Sequence, residues 1–263
     1  MPIFPNQVCI FWPLCRIFCK DRGDGMKQET KLALGTIAFL IAVFCAIFWI
    51  MSNNVTSAVA LAVSSRPVVI VDAGHGGEDG GAVGISGTRE SEINLEVALR
   101  LEQVLALCGV PVKMIRTEDR ALYTQGQTIS EKKVSDLKHR VEIVQTTLNP
   151  VLVSIHQNHF SDSQYDGAQV FYAKTEGSRN WAEKTQEILR LTLNPANHRQ
   201  CKEASSVYLM EQISCPGILV ECGFLSNREE EQKLQRSEYQ TKLACAIGMA
   251  VAEFLEEGEN REI

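Results

Sequence analysis

The sequence predicts an α/β fold: a single, mostly parallel central sheet with helices on both faces, preceded by an N-terminal transmembrane or signal helix. Three observations predict it. Short continuous apolar runs bounded by turn residues recur along the chain, as in strands buried on both faces. Longer stretches with helical apolar stripes lie between them, and that alternation marks strand–helix–strand units. Ahead of both stands Leu32–Met51, 20 residues without a charge, long enough to span a bilayer core of ~30 Å.

Lys27 and Lys31 precede that run, the positive flank expected on a cytoplasmic side. Ala58-Val59-Ala60 and Ala60-Leu61-Ala62 offer small-residue cleavage patterns. The length of the run favours an uncleaved anchor over a cleaved signal, and either one puts the remainder outside the cytoplasm. Met26 would itself open a well-formed signal. Residues 1–25, with Pro2, Pro5 and Pro13 among Cys9, Cys15 and Cys19, therefore read as a non-native extension of the frame. The expected organisation is an extension (1–25), a signal peptide or membrane anchor (26–52), a linker (53–66), a folded body (67–257) and an acidic tail (258–263).

Within the body, Pro67–Asp72 is the first expected strand, followed by Ala73–Gly87, a loop holding seven glycines. Glu90–Cys108 carries Ile93, Val97, Leu101, Val104 and Leu105 on one helical face. A strand at 111–116 follows, then a polar loop (117–133) and a helix striped by Val134, Leu137, Val141 and Val144. Strands are expected at 150–155, 168–172, 206–210 and 217–220, and helices over Asn180–Leu193 and from Tyr239 to Phe254.

Of 263 residues, 45% are hydrophobic and 22% charged, the balance of an ordinary folded protein. A net charge of −6 without a basic run excludes nucleic acid as the partner, because phosphate binding needs clustered Lys and Arg. Nine cysteines include no Cys-x-x-Cys pair in the body. Cys108, Cys201, Cys215, Cys222 and Cys245 read as small buried apolar residues.

Function in such sheets collects at the carboxyl ends of the strands, and three polar clusters meet that condition. Asp72-Ala-Gly-His75 leaves the first strand, Ser154-Ile-His156-Gln-Asn158 the third, and Glu221-Cys-Gly the last; Glu90 sits where the glycine loop enters the first helix of the body. Two imidazoles and a carboxylate from separate strand ends form the His₂Glu set of a catalytic zinc site with one position open to water. A second carboxylate nearby could move the proton of an amide hydrolysis. Taken singly, these residues have other readings: His75 as a turn histidine, His156 as a strand-end histidine, and Glu90 as a helix N-terminal carboxylate favoured by the dipole. Glu221 is different, since a carboxylate ending an apolar strand is costly unless paired or facing a metal. His139 and His198 read as surface residues, His159 as part of the rim, and Arg140 as a salt-bridge partner.

Together, Val71-Asp-Ala-Gly-His-Gly-Gly-Glu-Asp-Gly-Gly-Ala82, Gly87-Thr-Arg-Glu-Ser-Glu-Ile-Asn-Leu95, Ser154-Ile-His-Gln-Asn158 and Leu219-Val-Glu-Cys-Gly-Phe-Leu-Ser-Asn227 resemble the zinc-dependent N-acetylmuramoyl-L-alanine amidases, the Amidase_3 family. The resemblance runs in order from about residue 67 to 255. It implies a zinc-peptidase-like α/β fold, Zn²⁺ held by His75, Glu90 and His156, and Glu221 as the catalytic carboxylate. It also implies hydrolysis of the bond between N-acetylmuramic acid and L-alanine in peptidoglycan. His159 departs from the small residue common in the family. The lone N-terminal anchor and the absence of wall-binding repeats look most like the germination-specific, CwlD-type amidases of spore formers, which act on spore cortex. The alternatives are a vegetative autolysin with the same reaction, a zinc peptidase cutting within the stem peptide, and a non-catalytic wall-binding protein on the same fold. Some family members carry a long inserted helix that blocks the zinc. Between Tyr172 and Ser206 there is room for one ordinary helix and a loop, so no such plug is expected. Control would then fall to expression timing, substrate chemistry or a regulatory protein partner.

Overall fold

A computed structural model describes residues 28–259, with side chains over 32–51 and 66–258. The chain forms two units, divided between Leu61 and Ala62. The first contains most of the helix Gln28–Ser65 (α1), in which Leu32–Met51 is exposed and is long and apolar enough to cross a membrane. The segment expected as a linker is helical in its backbone as far as Ser65. It has no proline or glycine to stop the turn, and Ala58, Ala60 and Ala62 favour helix. The reading of residues 1–25 as an extension, and the last residues of the tail, lie outside the described residues.

In the second unit the apolar runs become strands: Val68–Ala73 (β1), Val112–Met114 (β2), Pro150–Asn158 (β3), Gln169–Tyr172 (β4), Lys202–Glu203 (β5) and Gly217–Phe224 (β6). They form one sheet in the order β2-β1-β3-β6-β4-β5. Every pairing is parallel except β4 with β6. The helices of this unit are Glu90–Leu107 (α2), Ile129–Gln145 (α3), Ser178–Leu193 (α4), Tyr208–Gln212 (α5), Arg228–Leu234 (α6) and Ser237–Glu259 (α7).

Alternate residues of a strand face opposite ways, and here the two faces differ. Val69, Val71 and Ala73, Val151, Val153 and Ile155, and Ile218, Val220 and Cys222 join one apolar core with side chains of α2, α4 and α7. Trp181 of α4 stacks on Phe254 of α7 at 4.5 Å within that layer. The helix in the 172–206 interval therefore packs on the face that does not carry His156 and Glu221. On the other face Ile70, Leu152 and Leu219 pack against Val141 and Val144 of α3 and Leu209 and Met210 of α5. Each of these rows turns polar toward its carboxyl end, from Ile70 to Asp72, from Leu152 to Ser154 and His156, and from Leu219 to Glu221. Register aligns them: Asp72 lies opposite Ser154, and His156 opposite Glu221.

Three sequence expectations differ from the structure. Ser206–Met210 is not a strand; Ser206 turns the chain at φ 70°, and Tyr208–Gln212 forms α5, burying both Leu209 and Met210 as adjacent strand residues on one sheet face could not. The edge strand is instead the short, exposed Lys202–Glu203. The polar loop after β2 ends earlier than expected, because Thr128 and Glu131 make a reciprocal capping box that starts α3 at Ile129. Among the body cysteines only Cys215 and Cys222 are buried; Cys108 and Cys245 are exposed.

Candidate metal centre

The glycine loop after β1 must leave the sheet and bring an imidazole back over it. His75 does so in the left-handed region, φ 61°, a conformation rarely held by a side-chain-bearing residue unless its surroundings enforce it. Two buried arginines enforce it. Arg140, from α3, donates to the His75 carbonyl at 2.7 Å and to the Ala73 carbonyl at 3.0 Å. Arg116, just past β2, donates to the carbonyls of Ala73 (2.7 Å), Gly74 (3.0 Å) and Ser91 (2.8 Å). Arg140 is itself held by Asp136 at 2.6 Å and by Asp72, which also accepts from Ser154 Oγ at 2.7 Å. Burial alone would raise the Asp72 pKa, but the Arg140 charge and the Ser154 hydroxyl outweigh it and hold the carboxyl below its ordinary range.

The ligand-type side chains meet over this frame. His75 Nε2 lies 3.3 Å from Glu90 Oε2, and His156 Nδ1 lies 2.9 Å from Glu90 Oε1. One donor atom each from His75, Glu90 and His156 falls within 4.8 Å of the others. Ligands of one tetrahedral zinc, at bonds of ~2.0–2.2 Å, stand roughly 3.3–3.5 Å apart. The donor set is that of such an ion, and the two contacts to Glu90, at 3.3 and 2.9 Å, stand near that spacing. Glu90 is fixed by its place at the start of α2, where Ala82 N donates to Oε2 (2.9 Å) and Gln157 N to Oε1 (3.1 Å). Asn94, one helical turn on, reaches Glu90 Oε1 at 3.2 Å and the Gly74 carbonyl at 3.1 Å. Two glycines leave the room: a Cβ at Gly74 would stand 2.2 Å from His156 Nε2, and one at Gly81 would stand 2.5 Å from Glu90 Oε2.

The field at this point is negative. Burial works against a proton on His75, yet the carboxylates of Asp79 and Glu90 outweigh burial and carry its pKa up to about 9. Burial would raise Glu90, but His156 and His75 hold it far below the carboxylate range. A cation at the imidazoles is favoured, whether proton or metal. Asp79 Oδ2 lies 3.0 Å from His75 Nδ1 and so occupies the ring edge opposite Glu90, the place of a carboxylate that orients a metal-bound histidine.

Glu221 stands apart from the cluster's hydrogen bonds. Its Oε2 is hidden from solvent and has no hydrogen-bond partner among the described residues, although its backbone is paired in register with His156. Burial pushes the carboxyl up to about 7, with His156 pulling down and Glu90 pushing up. A carboxyl group that exchanges a proton near neutrality beside a cation site is suited to general acid–base work. Beyond it, α6 clamps the surrounding loops. Glu231 accepts from Ser86 N at 2.9 Å and Ser86 Oγ at 2.7 Å, and Glu230 accepts from Phe224 N (2.8 Å) and Gly167 N (3.0 Å).

Of the expected site residues, the structure brings His75, Glu90 and His156 together, with Glu221 in register beside them. Arg140 pairs with carboxylates, as expected. His198 and His159 are exposed, and His139 lies 3.5 Å from Glu142 on the outer face of α3. Sequence reasoning passed over Asp79, Arg116, Asp136 and Glu231. Asp79 alone left a signal, a carboxylate four residues after His75 in a glycine loop; the others are joined to the site only by the fold.

Comparison with known proteins gives the family of the chain. The family model described as N-acetylmuramoyl-L-alanine amidase matches residues 69–253. The germination-specific N-acetylmuramoyl-L-alanine amidase of Bacillus subtilis (strain 168) is 33% identical over 240 residues, covering 90% of this chain and all (100%) of that protein. Among solved structures, the CwlD amidase from Clostridioides difficile, in complex with the GerS lipoprotein, is 37% identical. It has a TM-score of 0.70 and covers 72% of this chain and 98% of its own. The catalytic domain of CwlV from Bacillus (Paenibacillus) polymyxa var. colistinus is 29% identical, with a TM-score of 0.61 over 73% of this chain and 99% of its own. The resemblance read from the four motifs is borne out.

Proposed function

The chain belongs to the N-acetylmuramoyl-L-alanine amidase family and is an amidase of peptidoglycan, and from that premise we propose that it is zinc-dependent, with His75, Glu90 and His156 as ligands and Glu221 as the catalytic carboxylate. The observation that carries this reading is the convergence of three donor atoms within 4.8 Å beside Glu221, whose buried Oε2 has no hydrogen-bond partner among the described residues.

Bound there, zinc supplies Lewis acidity toward the amide carbonyl and lowers the pKa of water at the site to ~7. The protein's own groups do the rest. Asp79 holds the His75 ring with Nε2 turned inward, and the contact of His156 with Gly74 leaves Nδ1 facing Glu90. Glu221 Oε2, unpaired and in register with His156, takes the proton of the attacking water and delivers it to the departing nitrogen of L-alanine. The amide between the muramic lactyl carbonyl and L-alanine is broken, one water is consumed, and a carboxylate and an amine are left.

The likeness to the germination-specific B. subtilis amidase supports a role in spore cortex maturation. We place the enzyme outside the cytoplasm, anchored or exported by Leu32–Met51. The solved complex of the similar C. difficile amidase with a lipoprotein supports a protein partner here too. The test is to incubate the full-length chain with purified spore cortex and with vegetative peptidoglycan, with and without a chelator, and to identify fragments by mass. The expected result is free stem peptides with an L-alanine amino terminus, released from cortex and lost on chelation. Release that survives chelation contradicts the zinc reading, and equal release from both walls contradicts the cortex role.

A further inference from the structure

Beyond the metal cluster, at the carboxyl ends of β3 and β6, lies an open cleft of ≈ 240 Å³ lined by Asn158, Phe160, Tyr165, Arg199 and Phe224. Its position is set by a bulge. His156 pairs with Glu221, but Asn158 pairs with Phe224, so β6 carries one extra residue between the two pairs. A bulge of this kind re-aims the side chains that follow it. Asn158 therefore continues the row of His156, ~7 Å further along at two strand residues' rise, with Phe224 opposite it. The cleft is the outward continuation of the candidate centre.

Its chemistry differs from the rest of the rim. Phe160 and Tyr165 are exposed aromatic side chains in edge-to-face contact at 5.0 Å. Neither is needed to fill the core, and exposed aromatic rings grouped in one concavity mark a binding surface. Behind them Phe224 forms a buried floor, with the Arg199 guanidinium 4.5 Å above its ring. Arg199 is held there by the Asp166 carbonyl at 2.8 Å and by Gln169 Oε1 at 3.3 Å, and Gln169 is the residue paired with Glu221 on β4. Among the described residues the Asn158 carboxamide makes no hydrogen bond, leaving one donor pair and one acceptor available in the cleft.

We propose that this cleft is a sugar subsite, in which the pyranose ring of an N-acetylated amino sugar lies on Phe160 and Tyr165 and its acetamido group pairs with the Asn158 carboxamide. An amide of the ligand matches an amide of the protein in both donor and acceptor, and the apolar C–H face of a pyranose matches an exposed ring. This assignment rests on the amidase reading for its substrate, but its test needs no turnover.

The probe is a peptide-free β-1,4-linked tetramer of N-acetylglucosamine, titrated calorimetrically into the full-length chain in detergent. Binding to the wild type is expected, weakened by roughly tenfold in Phe160→Ala, the scale of one lost aromatic contact. Phe160→Trp, which keeps the platform, should restore it, and the distant surface change Leu148→Ala should not alter it. No binding by the wild type up to about 10 mM, the affinity of a negligible contact, would overturn the proposal. So would tetramer binding that Phe160→Ala leaves untouched, or a Phe160→Ala defect confined to a free L-alanyl stem peptide. If the tetramer binds as expected and no stem peptide is released from any wall, the subsite stands and the amidase reading of the centre fails.

Discussion

On one face of the sheet, the rows through Val71, Val153 and Val220 are apolar beneath α2, α4 and α7, and only the β3 row ends on a polar residue, Gln157, which donates to Asn94 of α2. On the other, the same strands change from Ile70, Leu152 and Leu219 to Asp72, Ser154, His156 and Glu221 within two to four residues. The first face shows what holding the fold requires, side chains that exclude water and need no partners. The second carries buried charge, which is costly unless paired. Here Asp72 and Arg140 pair, while Glu221 Oε2 does not. On this face the paired charges brace the loop, and the unpaired carboxylate oxygen is the one proposed to do chemistry.

The largest effect should come from the unpaired group. Glu221→Gln is expected to lower turnover by roughly 10²–10⁴-fold while zinc content is unchanged, the scale of a lost general acid–base. Steady-state release of stem peptide, alongside metal analysis, checks both halves. Near wild-type turnover would erase the distinction between the faces.

Arg140→Met strands Asp72 in the interior and should cost roughly 3–5 kcal/mol, the scale of a broken buried ion pair, read by denaturant unfolding. Because the folded Asp72 pKa lies below its ordinary 3.8, its contribution is fully present above that pH. It is lost as pH falls through the depressed value. Acid titration should therefore show a component in the wild type that Arg140→Met lacks. The same substitution frees the His75 carbonyl and should weaken zinc binding.

Leu101→Ala, in the apolar layer, should cost a similar ~2–5 kcal/mol through its cavity but leave zinc affinity alone. If it shifts zinc affinity as much as Arg140→Met does, the two faces are not separable in the way described. Asp79→Asn should give the smallest change, a loss of roughly 10–100-fold in zinc affinity, as for other carboxylates that orient a ligand, with unfolding barely moved. Competition against a chromophoric chelator measures it.

Much of this was legible in the sequence. Five of the expected strands are strands in the structure, and the clearest are the continuous apolar runs of β1, β3 and β6, because strands buried on both faces need apolar residues at nearly every position. The polar residues that end those runs gave His75, His156 and Glu221. Ser206–Met210 was misread because a five-residue apolar and polar mixture carries too little period to separate strand from helix. The loop supports were illegible for another reason. Glu231 reaches Ser86 across 145 positions, and Arg116 binds only backbone carbonyls, so neither leaves a local pattern. Glu231 sits in an acidic run that reads as an ordinary helix start.

The proposed function requires one zinc ion held between the loop after β1, α2 and β3. Metal analysis of the full-length chain after dialysis, for the wild type and for His75→Ala, Glu90→Ala and His156→Ala, tests it most directly. The expected result is one zinc per wild-type chain and essentially none in any of the three variants, with amidase activity lost in step. An active wild type without zinc, or variants that keep a full complement of it, would contradict the account.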